Sequence, residues 1–236
     1  MGSLERDAAG IGALADPVRR ELYRFIGAQP GPVSREQAAD AVGIARHQAK
    51  FHLDRLAAEG LLEIDYARLT GRSGPGAGRP SKLYRRASRD IAVSLPPRQY
   101  ELAGRLMADA IAAAAGSGAS AMRMLNKLAH DYGHRAGAAA AAQQPAADAP
   151  AALRLAVDVL GEHGYEPRYV NDEVQLANCP FHTLAQVQTQ LACEMNHALI
   201  TGLTEALTPH CPRARLCPQT GHCCVVLCAG DEPGSR

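Results

Sequence analysis

The sequence predicts a mainly α chain with small β components: a helical N-terminal head followed by a C-terminal α/β region. Three observations lead there. Apolar residues recur at helical spacing from Leu14 to Glu59 and give way to two strand-like runs. Charge is uneven: Met1 to Asp90 holds 15 Lys+Arg against 11 Asp+Glu, while the remainder holds 10 against 13. All seven cysteines lie between Cys179 and Cys228.

The length of 236 residues allows one large domain or two modest ones. The boundaries expected are a head over 1–90, dimerisation helices with an Ala-rich linker over 91–150, and a cysteine-rich domain over 151–236. No apolar stretch follows Met1 as in a signal peptide, and no run nears the ~18 apolar residues of a membrane helix. The expectation is a cytoplasmic protein with no membrane partner. In a reducing compartment, clustered cysteines more often mean metal ligation or redox chemistry than disulfides. The simpler reading is that several are small buried hydrophobes.

Asp16-Pro17 forms an N-cap and first-turn pair, after which Val18, Leu22, Phe25 and Ile26 follow a helical stripe. Gln29-Pro30-Gly31-Pro32 ends that helix. Ser34 to Gln37 reads as a capping box opening a second helix. Val42-Gly43-Ile44 is a short turn, and a third helix runs from about Ala45 to Glu59, closed by Gly60. Two helices joined by a short Gly turn form a helix-turn-helix. In the third helix Ala49, Leu53 and Leu56 share the inward face. Arg46, His47, Gln48 and Lys50, with Phe51, lie largely outside it. Arg and Gln at the start of such a helix can pair with guanine and adenine edges in a major groove.

Leu61 to Tyr66 then reads as a strand, Gly71 to Pro80 as a glycine-rich loop and Ser81 to Arg85 as a second strand. Tyr66 to Arg89 contains seven basic residues and no acidic one. This is a hairpin with a basic tip, and hence a winged helix. Arg72, Arg79 and Lys82 are candidate phosphate or minor-groove contacts. The expected partner is double-stranded DNA.

Further along, Arg98 to Ala115 and Ala119 to Arg135 read as helices. Ala136 to Ala152 reads as a helix end and surface loop. Leu153 to His163 reads as a helix, and Tyr165 to Leu176 as two short strands around Asn171-Asp172. Cys179 falls in Asn178-Cys179-Pro180-Phe181-His182, after a strand. Cys193 falls on a helix, and Cys223 and Cys224 at the start of a terminal strand. Paired CxxC knuckles and the ferredoxin run are both absent. Widely spaced thiolates could still be gathered by folding. Adjacent cysteines in a strand point to opposite faces, so Cys223 and Cys224 are not expected to share a site. His182 could join such a site, cap a helix or sit in a core. Cys211 and Cys217, in an expected loop, and Cys228 are read as bystanders. A cysteine hydrolase using Cys179 and His182 is disfavoured by their three-residue spacing and by the lack of an oxyanion-hole motif. The chain is expected not to be an enzyme.

The runs LADPVRREL, HQAKFHLDRLAAEGLL and GRPSKLY resemble the winged helix of ArsR-like and SufR-like bacterial regulators. The GRPxxxY wing is closer to the SufR-like set. The CPxH segment, a helical cysteine and a cysteine near the last strand resemble the SufR-like sensor domain. That resemblance implies a homodimeric repressor of iron–sulfur cluster assembly or iron and redox homeostasis genes, bound to an inverted repeat. It also implies a [4Fe–4S] cluster on Cys179, Cys193 and Cys224, with Cys223 in place of Cys224 as an open alternative for the third ligand, and with Cys223 or His182 as a possible further ligand. The alternative is a zinc-binding or thiol–disulfide switch behind the same head. Taken whole, the fold expected is an N-terminal winged helix-turn-helix plus a C-terminal α/β sensor domain.

Overall fold

A computed structural model describes residues 3–67, 81–218 and 222–229. The chain divides into two compact units, Met1–Val93 and Ser94–Arg236. The segment 91–150 therefore does not stand apart. Nearly all of it belongs to the second unit, and its helices share a core with the cysteine-bearing elements.

The first unit runs α1 (Ser3–Ala13), α2 (Pro17–Gly27), β1 (Val33–Ser34), α3 (Arg35–Val42), α4 (Arg46–Ala58), β2 (Leu62–Ala67) and β3 (Ser81–Arg86). Local chemistry sets most boundaries. Asp16 accepts a hydrogen bond from the Arg19 amide at 3.0 Å, with Pro17 opening α2. Ser34 and Gln37 exchange both bonds of a capping box, at 2.9 and 3.2 Å. Gly43 takes φ 73°, which frees the chain to turn from α3 into α4. Leu22, Ile26, Ala38, Ala39, Ala49, Leu53, Leu56 and Tyr84 form the buried core. The sheet order is β1-β3-β2, with β2 and β3 antiparallel from Leu62↔Arg86 to Ala67↔Ser81. The three-helix order and hairpin stems of the expected winged helix are thus present. Both α1 and the short β1 were unforeseen.

The second unit runs α5 (Tyr100–Ser117), α6 (Ala121–Gln143), α7 (Ala149–Glu162), β4 (Pro167–Val170), β5 (Glu173–Leu176), α8 (His182–Val187), α9 (Thr189–Glu205), β6 (Arg213–Leu216) and β7 (Val225–Cys228). Its four strands form an antiparallel sheet of order β4-β5-β7-β6. The β4–β5 turn is the expected one: Asn171, at φ 55°, and Asp172 separate the paired Val170 and Glu173. Two expectations fail. Ala136 to Ala152 is largely helical, because the alanine run carries α6 on to Gln143 and Asp148 caps α7. Arg213 to Leu216 is not a loop but β6, an edge strand paired with β7. Its alternating arginines suit an edge that faces water.

Helices α6 and α9 lie against each other backbone to backbone. A Cβ on Gly133 would stand 1.8 Å from the Leu199 carbonyl oxygen. On Gly137 it would stand 2.3 Å from that of Leu203, and on Gly202 2.1 Å from that of His130. Only hydrogen fits at these three positions. The seam fixes α9, which carries Cys193 and Asn196, against the rest of the unit.

Candidate functional site

Two places concentrate chemistry. The first is the outer face of α4. Arg46, His47, Gln48 and Lys50 are all exposed there, while Ala49, Leu53 and Leu56 are fully buried. At 3.6 residues per turn, Arg46 and Lys50 lie on one flank of the exposed face and Gln48 on the other. The Gln48 side-chain oxygen accepts the Ala45 amide at 3.2 Å. Gln48 thus caps its own helix, a role not anticipated beside the adenine pairing expected of it.

Lys82 is more engaged than expected of a phosphate contact. Its ammonium lies 2.6 Å from Asp54 Oδ1 on α4, and the Tyr84 hydroxyl donates to the same oxygen at 2.9 Å. Asp54 therefore ties α4 to β3. Arg72 and Arg79 lie outside the described residues. Burial works to raise the Asp54 carboxyl, but the hydrogen bonds from Lys82 and Tyr84 outweigh it and hold it below the ordinary aspartate value. Burial, reinforced by the Asp54 bond, pushes the Tyr84 hydroxyl up.

A depressed acid stabilises the fold above its unfolded pKa and loses that contribution as pH falls through the folded value. Asp54→Asn should therefore lower the stability of the first unit by about 1 kcal/mol near neutral pH, a figure already discounted for solvent screening. The difference should begin to shrink as pH falls below the ordinary aspartate pKa of ~3.9 and vanish once pH is below the lower folded value. Urea unfolding at neutral and acidic pH would read both; an equal deficit at the two would refute the carboxylate's role.

The second place is a cavity of about 400 Å³ in the second unit. Its lining includes Cys179, Cys193, Cys223, Cys224, His182 and His222. The cysteines arrive from three places: the loop after β5, helix α9 and the bend before β7. Cys179 follows β5, in a loop whose carbonyl groups are held from outside. The Arg98 guanidinium donates to the Cys179 carbonyl at 2.9 Å, and the Gln99 amide to that of Pro180 at 3.1 Å. Buried Asn178 donates to the carbonyls of Gly164 at 2.6 Å and Pro97 at 3.1 Å, and accepts from Arg98. Cys193 sits in the first turns of α9.

Cys223 and Cys224 both line the cavity, against the expectation that only one would. They precede β7 in a bend, so the two-residue alternation of a strand does not apply to them. Their backbone is pinned on both sides. The Cys223 amide donates to Leu176 at 2.9 Å, and the Cys224 carbonyl accepts the Cys217 amide at 2.7 Å.

The neighbouring thiols perturb one another: Cys223 acts on Cys179, and Cys224 on Cys193. Interaction with the Cys223 thiol, with burial next, pushes the Cys179 thiol far up. Burial raises Cys193. Interaction with Cys179 lowers Cys223, but that with Cys224, together with burial, outweighs it, leaving Cys223 at about 11. The Val225 backbone amide also works to lower it. Buried Asn196 gives its amide N–H to Cys223 Sγ at 3.1 Å and accepts the hydroxyl proton of buried Tyr165. An amide aimed at sulfur favours its anionic, ligating form.

His182 and His222 are exposed at the cavity wall, and His222 was not anticipated there. Cys211, Cys217 and Cys228 are not among the lining residues. Cys211 Sγ lies 3.5 Å from the Glu205 carbonyl, and Cys228 lies beside Arg215 and Glu173. Among the described residues, no three His, Cys, Asp or Glu side chains are grouped as a single-ion site. No helix among them is long and apolar enough to cross a membrane.

Residues 14–65 match the family model of a helix-turn-helix domain. The match spans α2 to β2 and includes α4 whole. No curated protein matches the chain, and no solved structure does. The chain carries a helix-turn-helix domain, which suggests a DNA-binding transcriptional regulator.

Proposed function

We propose that the chain is a homodimeric transcriptional repressor whose DNA affinity is set by a [4Fe–4S] cluster held in the second unit, and that it acts on cluster-assembly or iron and redox homeostasis genes. The observation that carries the reading is the convergence of Cys179, Cys193, Cys223 and Cys224 on one cavity in a chain with a helix-turn-helix head.

The donor set suits such a group. Among the described residues the lining offers four thiols and no lysine or arginine. A single ion would draw its thiolates to roughly 3.8 Å of one another, from Zn–S bonds near 2.3 Å in a tetrahedron. A cavity of about 400 Å³ leaves room for more than that. Cys179, Cys193 and Cys224 would hold the cluster, with Cys223 or His182 completing it. Once bound, the cluster supplies sensitivity to oxidants or to iron supply. The chain's own residues do the coupling. Arg98 and Asn178 hold the Cys179 loop, Asn196 holds Cys223, and the glycine seam holds the helix bearing Cys193. Ligation by Cys179, Cys193 and Cys224 would therefore tie loop, helix and terminal bend into one piece.

A thiol–disulfide switch is favoured by the same four thiols lining one cavity, where Cys179 with Cys223 and Cys193 with Cys224 are the pairs that perturb each other. One experiment separates the readings. The chain is purified without oxygen and analysed for iron and acid-labile sulfide. Loaded and stripped protein are then titrated with one labelled duplex at a single salt concentration, since phosphate contacts make affinity salt-dependent. The cluster reading expects stoichiometric iron and sulfide and roughly 5–150-fold tighter binding by the loaded form. Metal-free protein whose affinity follows thiol oxidation would replace it with the disulfide switch, and equal affinities would remove the cysteines from regulation.

A further inference from the structure

The crest of α4 is aromatic. Setting Ala49, Leu53 and Leu56 as the buried stripe, Phe51 lies roughly 170° around the helix, farther from the core than Arg46, Gln48 or Lys50. The residue is 65% exposed, more than the other large, purely apolar residues described as exposed in the first unit, Leu4 and Ile11. Its ring meets His52 edge-on at 5.3 Å, which leaves its outer face bare. Nothing in the fold of the first unit requires a ring there. The neighbours are what a DNA groove selects. His47 stands one turn before Phe51 on the same crest, and Arg46 and Lys50 form the basic flank.

We infer that Phe51 reads a thymine in the major groove through its C5-methyl group. The inference rests on the DNA-binding reading of the head. A recognition helix turns its crest to the groove floor, and the floor presents hydrogen-bonding edges everywhere except at that methyl. An aromatic ring pressed on a guanine, cytosine or adenine edge strips a donor or acceptor of water and returns no hydrogen bond. On a thymine methyl it buries apolar surface against apolar surface. Phe51 therefore selects for thymine and against the other three bases at one position per half-site. Arg46 and Lys50 supply attraction to phosphates and to guanine beside it.

The test removes the methyl and nothing else. Full-length protein selects duplexes from a random library, and each thymine of the selected site is replaced in turn by uracil, which keeps base pairing. For the unmodified chain, one uracil per half-site should weaken binding roughly three- to tenfold, the scale of one buried methyl. Phe51→Ala should bind the thymine duplex as weakly as the parent binds the uracil duplex, and should be indifferent to the exchange. Thermal unfolding of Phe51→Ala should match the parent, because the ring buries little, and Phe51→Leu, which keeps an apolar contact, should retain part of the thymine preference. Selective binding that is indifferent to uracil at every position would overturn the role of Phe51 alone. So would a Phe51→Ala variant with full thymine discrimination. Failure to enrich any duplex would overturn the DNA-binding reading itself and this one with it.

Discussion

Gly133→Ala should destabilise the second unit by more than about 3 kcal/mol and lower its melting temperature by roughly 10 °C. The added Cβ would stand 1.8 Å from the Leu199 carbonyl oxygen and 2.8 Å from its carbon. Both are backbone atoms of α9 and have no rotamer to yield. The helices must separate, and separation opens the core lined by Leu125, Ala129, Leu199 and Leu203. The contrast is Gly104→Ala in α5, where nothing lies within 4 Å of the new methyl. That exchange should gain about 0.5–1 kcal/mol, since it costs the unfolded chain entropy and meets no clash. Thermal unfolding of the two variants beside the parent decides the matter. A Gly133→Ala protein that melts with the parent would mean that α6 and α9 lie farther apart than described.

Cys179→Ser and Cys193→Ser should each reduce bound iron and sulfide to background. The two residues enter the cavity from opposite elements, a loop after β5 and the start of α9, and no bystander cysteine lines the cavity to replace them. Serine keeps the shape but is a poor ligand for a soft metal centre. Cys211→Ser, Cys217→Ser and Cys228→Ser should keep the parent's content, because none of the three lines the cavity. Metal analysis of anaerobically purified variants reads all five. Loss of iron from the bystander variants, with full iron in Cys193→Ser, would disprove the ligand assignment.

The head was legible because its signals are local. Asp16-Pro17, the Ser34–Gln37 box and Gly43 each fix a chain turn through bonds within a few residues, and each stands where the sequence placed it. The hairpin at Asn171-Asp172 was legible for the same reason. What failed depends on partners distant in sequence. Arg213 to Leu216 has the composition of a loop and becomes a strand only because β7 offers it a ladder. Cys223 and Cys224 were assigned by strand alternation, yet the strand begins one residue later. Asp148-Ala149-Pro150 is a local helix start that could have been read, and the surrounding alanines obscured it. The glycine seam was invisible. Gly133 and Gly137 look like weak points of a helix until α9 is laid against them. The Asp54 contact with Lys82 and Tyr84 likewise joins residues about thirty apart, so Lys82 was read for its charge without its partner.

That contact bears on how such a head can change over generations. Asp54 ties α4 to β3, and on the proposed reading the head's choice of bases would reside in the side chains along the crest and flanks of α4. On the proposed reading, an exchange at Phe51, His47 or Arg46 would rewrite the preferred DNA word without disturbing Asp54, Lys82 or Tyr84. An exchange among the cavity residues would alter when the protein responds and leave the word untouched. Target choice and signal choice would then be inherited as separate traits, free to be recombined by mutation on one unit at a time.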